Sequence, residues 1–107
     1  MMYAEIKYMS HFIKDKKISL LMLSLMFERM KRIYEHIVLN DEFYLYEPLL
    51  SVCIGIHYRA YCIYHYEAMD FIDLELSESI LFDSDLCMME LTDYIIQSQG
   101  KMICRDT

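Results

Sequence analysis

Four residues invite a metal reading before anything else does. Cys53, His57, Cys62 and His65 lie within thirteen residues, and cysteine and histidine at short spacing are the usual ligands of zinc. On a helix, Cys53 and His57 share a face, while Cys62 and His65 point roughly the other way. On a strand, Cys62 opposes the other three. Neither geometry converges on a tetrahedral site, and the spacing matches no common zinc module. A site split between this segment and Cys87 or Cys104 is the remaining alternative. Covalent catalysis finds no support either, because no nucleophile elbow or protease signature frames any Ser, Cys or His. Two glycines leave no phosphate-cradling loop. "DSDLCMMELTD" lacks the glycine and the ligand spacing of a calcium loop. The expectation is a protein without catalytic, cofactor or metal residues.

The carboxylates are the other chemistry-bearing group, and their placement is uneven. Residues 1–59 carry eight bases against seven acids. Residues 60–100 contain no Lys or Arg and nine acids, and the last seven residues add one positive charge. The net charge of −7 therefore arises from one contiguous segment. Its densest part is "MDFIDLELSESILFDSD". Concentrating like charge costs stability through self-repulsion, whereas a need for solubility alone is met by scattered acids. Such a field steers a basic partner into contact. Glu67, Asp70, Asp73, Glu75, Glu78, Asp83 and Asp85 are the candidate partner-binding residues. Phe71, Ile72, Leu74, Leu76 and Leu81 are interleaved with them, and most are expected in the core.

The rest of the composition bounds the partners. Net negative charge speaks against direct binding to nucleic acid, whose phosphates are held by Lys and Arg, and against anionic membranes. The dense tyrosines of "HYRAYCIYHY" have only Arg59 beside them, too little for a stacking groove along a nucleic-acid strand. "KDKKISLLMLSLMFERMKR" imitates an export signal, but it starts far into the chain, and charges follow it where a small-residue cleavage site belongs. Its apolar run is too short to span a bilayer as a helix. A cytoplasmic protein with reduced, packed cysteines is expected.

These residues must be held by helices. A chain of 107 residues that is 56% hydrophobic, with two Gly, one Pro and ten Met, predicts a single domain spanning 1–107. Residues 3–14 set Ile6, Met9, Phe12 and Ile13 on one face, opposite Lys7, His11 and Lys14. Residues 19–38 align nine apolar residues from Leu20 to Val38, with Glu28 and Arg32 four apart on the polar side; only Leu21 and Leu25 break the division. "LND" at 39–41 ends that helix. Residues 41–47 fit either a short helix or an extended stretch. Residues 48–68 predict a central helix with Pro48 in its first turn and two apolar stripes. "IDLEL" alternates like a strand or forms a loop, Ser77 or Ser79 caps a short turn, and a last helix runs from Ser84 or Asp85 to about Gln97 before Gly100 and a loose tail. The sum is an all-α, compact bundle of four to five helices, with an α+β arrangement built on a small sheet from residues 43–76 as the alternative.

Two functions fit that reading. One is a small acidic, non-catalytic inhibitor of the immunity or antitoxin type, which occludes the basic active site of a nuclease-like toxin. The other is a viral or phage helical-bundle module that binds a host protein through an apolar groove. A homodimer formed through surplus Tyr and Leu surface is a variant of the second.

Overall fold

A computed structural model describes residues 2–15 and 17–105, the side chains of residues 15 and 101–105 excepted. The described residues form four α-helices: α1 (Met2–Asp15), α2 (Leu20–Leu39), α3 (Tyr46–Cys62) and α4 (Phe71–Arg105). No strand occurs among the described residues, so the fold is all-α and the alternative sheet over 43–76 is absent. α3 lies at the centre and packs against α1, α2 and α4.

The first two helices follow their apolar spacing. Ile6 and Met9 of α1 are buried, and Phe12 and Ile13 pack beside them. The Ser19 hydroxyl accepts the Met22 N–H at 3.2 Å and caps α2. Leu23, Met26, Phe27, Met30, Ile33 and Ile37 form its buried stripe. On its outer face Glu28 closes on Lys31 at 2.9 Å, not on Arg32. α2 stops because Asp41 turns left-handed, with φ of 50°. The Glu42 and Asp41 N–H groups then reach back to Ile37 and Val38 carbonyls at 2.9 and 3.2 Å, which satisfies the helix end.

Residues Phe43–Leu45 make one 3₁₀ turn, and Pro48 falls in the first turn of α3, where its missing N–H leaves no bond unmade. Leu49, Val52, Cys53, Ile56, Ala60 and Ile63 are all buried, as their spacing predicts. The second stripe, Leu50, Ile54 and Tyr61, is covered only in part: Leu50 packs against the core, whereas Ile54 and Tyr61 are exposed. Gly55 marks the crossing with α1. A Cβ there would come within 2.7 Å of Ile13 Cγ2, so the glycine sets how closely the two helices approach. After Cys62 the helix widens into a π turn, Ile63–Glu67, closed by the Ala68 N–H on the Ile63 carbonyl at 2.7 Å.

α4 corrects the expectation for the acidic segment. Where a strand or loop, a short turn and a separate helix are predicted, one helix of 35 residues runs, about 52 Å long. The Asp70 carboxylate accepts the Asp73 N–H at 2.8 Å and starts the helix. The serines that resemble caps lie inside it. Ser77 Oγ donates to the Asp73 carbonyl at 2.6 Å and Ser84 Oγ to that of Leu81 at 3.2 Å, so neither hydroxyl breaks the helix. Both serines are fully buried, and their small size lets α4 lie close to α3. Gly100 does not terminate α4, which continues through Arg105.

Candidate interaction surface

The seven predicted carboxylates do not form one cluster. Glu67 sits in the π turn and is engaged within the fold. Arg59 donates two hydrogen bonds to it, of 2.5 and 2.8 Å, and Lys17 approaches at 3.9 Å. Arg59 also donates to the Ile18 carbonyl at 2.8 Å, so the three residues tie the end of α3 to the start of α2. The Arg59 hydrogen bonds hold the Glu67 carboxyl below the usual carboxylate range. Asp70 is the cap of α4, and Asp73, half-buried in its first turn, lies where the helix dipole favours negative charge.

Glu75, Glu78, Asp83 and Asp85 are different. All four are exposed along α4 and have no hydrogen bond or ion pair among the described residues. Glu78 and Asp85, with His57, Tyr64, Leu81 and Phe82, line a shallow cavity of about 380 Å³ between α3 and α4. The apolar residues interleaved with the acids are more exposed than the sequence reading expects. Phe71 and Ile72 stand largely in solvent, Leu74 and Leu76 are also exposed, and only Leu81 is partly buried. The reason is geometric. A single helix packed along one side buries the positions near Ser77, Ile80, Ser84 and Leu91, and everything on its other side faces water.

The thiol and imidazole groups are dispersed. Cys53 is buried against the Ser84 carbonyl, 3.4 Å away, and against the Cys87 sulfur. The neighbouring Cys87 thiol and burial keep the Cys53 thiol up, and the proximity of Cys53 draws Cys87 down. His57 Nδ1 and Ser84 Oγ share a hydrogen bond of 2.8 Å. That pairing resembles a nucleophile and its base, yet Ser84 is completely buried in the α3–α4 contact and a substrate cannot reach it. His65 is exposed and lies against the Tyr61 ring, with centroids 4.2 Å apart. Among the described residues no three His, Cys, Asp or Glu side chains stand close enough to hold a metal. The Cys104 side chain, part of the split-site alternative, lies outside the described residues.

A second surface feature is an apolar groove, whose place in the fold the sequence does not reveal. α1 and α2 diverge around an open, mostly apolar groove of about 680 Å³. Tyr8, Phe12, Met22 and Leu25 line it, and a Glu5–Arg29 ion pair of 2.8 Å spans it. The signal was present: Leu25 is one of the two residues that break the amphipathic division of α2, and the other, Leu21, is also exposed.

In comparisons with known proteins, no family model, no curated protein and no solved structure matches the chain. Among the described residues no helix is long and apolar enough to cross a membrane.

Proposed function

We propose that the protein is a non-catalytic binding module whose acidic α4 face occupies a basic surface on a partner protein. In its most specific form it is a cytoplasmic inhibitor of the immunity or antitoxin type, bound over the active site of a nuclease-like toxin. The observation that carries the reading is the set of four carboxylates, Glu75, Glu78, Asp83 and Asp85, exposed along α4 and unpaired among the described residues. A cleft that holds phosphates presents Lys and Arg. Carboxylates fixed on a helix meet those bases without the entropy loss of ordering a loop. Inhibition then follows from occlusion, with electrostatic steering speeding the encounter. The expected partner is a basic protein and not a nucleic acid.

The test is binding and inhibition with a candidate toxin, such as the product of an adjacent gene, using a Glu78→Lys/Asp83→Lys/Asp85→Lys variant. Loss of inhibition in the folded variant supports the reading, and full inhibition by it refutes the reading.

The α1–α2 groove supports a second reading, in which a viral or phage adaptor takes up an amphipathic helix of a host protein. Binding of that kind resists salt and fails when Leu25 is replaced by Asp.

A further inference from the structure

The outer side of α4 carries an apolar seam with a regular register. Phe82, Leu86, Met89, Asp93 and Ile96 follow one another in steps of four and three residues; four of the five are apolar, and the acid Asp93 interrupts the seam before Ile96. Ser77, Ser84 and Leu91 recur every seven residues on the opposite side and are completely buried against the rest of the fold. The seam therefore points away from the core. Phe82, Leu86, Met89 and Ile96 are 69%, 56%, 61% and 60% exposed. Apolar residues at this spacing on a straight helix are what a second helix packs against, knobs into holes.

The residues flanking the seam decide what that second helix is. Glu78 and Asp85 border it on one side and Asp83 and Glu90 on the other. Glu78, Asp83 and Asp85 have no ion pair among the described residues, and Glu90 accepts from the neutral Tyr34 hydroxyl. Two copies of α4 packed through this seam would set acid against acid whether they ran parallel or antiparallel. A second copy is thus disfavoured by charge. A helix with an apolar seam and Lys or Arg at its flanks gains from the apolar contact and from the ion pairs together.

We infer that the α4 seam docks a basic amphipathic helix of a partner protein, with Phe82, Leu86 and Met89 as anchors and Glu78, Asp83 and Asp85 setting its charge and register. This inference rests on the acidic-module reading and gives the partner's contact element a shape.

Three synthetic peptides test it by titration into the full chain. One has an apolar heptad seam flanked by Lys and Arg. The second has the same seam flanked by Glu. The third has the composition of the first in scrambled order. The first peptide is expected to bind at least about tenfold more tightly than the other two. A Leu86→Ser/Met89→Ser variant with unchanged circular dichroism should weaken it about tenfold, since both side chains are exposed and neither supports the core. Equal binding of the scrambled basic peptide overturns the inference while leaving the acidic face as a charge-only surface, so the broader reading stands. Equal binding of the acid-flanked peptide, or binding of none, overturns the inference and removes charge recognition from the broader reading as well.

Discussion

Arg59 and Glu67, eight residues apart, meet through two hydrogen bonds of 2.5 and 2.8 Å across the turn where α3 widens from α to π geometry. The Arg59 side chain is only 14% exposed, and its Nε is also committed to the Ile18 carbonyl. Arg59→Met or Glu67→Gln should each destabilise the fold by about 1–3 kcal/mol, between the limits for surface and buried pairs. A double-mutant cycle by urea denaturation checks this. The pH dependence has a definite sign. The carboxyl of Glu67 is held below its ordinary value of 4.5. Its contribution is therefore complete above that value and is lost as pH falls through the lower folded-state value. Glu67→Gln should flatten the stability profile in that acid range.

The Tyr34 hydroxyl donates a short hydrogen bond to the Glu90 carboxylate, which joins α2 to α4. Burial and this bond push the Tyr34 hydroxyl well above its ordinary range, so it stays a donor at any working pH. Tyr34→Phe should cost about 1.5–3 kcal/mol, as expected for a hydrogen bond to a charged acceptor. Thermal or urea unfolding reads the loss.

Gly55→Ala should destabilise although alanine is the better helix former. The propensity gain is about 1 kcal/mol, but the new methyl would meet the β-branched Ile13 side chain at 2.7 Å. Ile13→Ala in the same chain should recover part of the loss, and melting temperatures of the three variants check both statements.

Cys87 should react with iodoacetamide before Cys53. Cys53 is fully buried and its thiol is held up, whereas Cys87 is partly exposed and drawn down by the neighbouring Cys53. Peptide mapping after timed alkylation of the folded protein orders the two sites.

Periodicity carried much of this fold and little of its surface. The residue 19–38 pattern corresponds to α2 almost to the residue, because one continuous apolar stripe there meets α3. Residues 71–105 were illegible as one helix for a physical reason. Serines are ordinarily read as caps, but Ser77 and Ser84 bond back to carbonyls of their own helix and serve as close-packing spacers against α3. The acid run is plain in the sequence, but which acids are engaged is not. Glu67 finds Arg59 only because the π turn changes the phase of the chain, and Asp70 differs from Glu75 only by where the helix begins. The exposed seam of Phe82, Leu86 and Met89 likewise emerges only once α4 is known to be continuous and packed along a single side.

The most direct measurement compares the tagged wild-type protein with the Glu78→Lys/Asp83→Lys/Asp85→Lys variant as baits in extract of the native host, washed at low and then high salt. The three acids are exposed and unpaired among the described residues, so the variant should keep its fold, each substitution changing stability by no more than about 0.5 kcal/mol. Wild type should retain a basic protein at low salt and release it at high salt, and the variant should never retain it. A partner held equally by both baits at both salt concentrations would contradict binding through the acidic face.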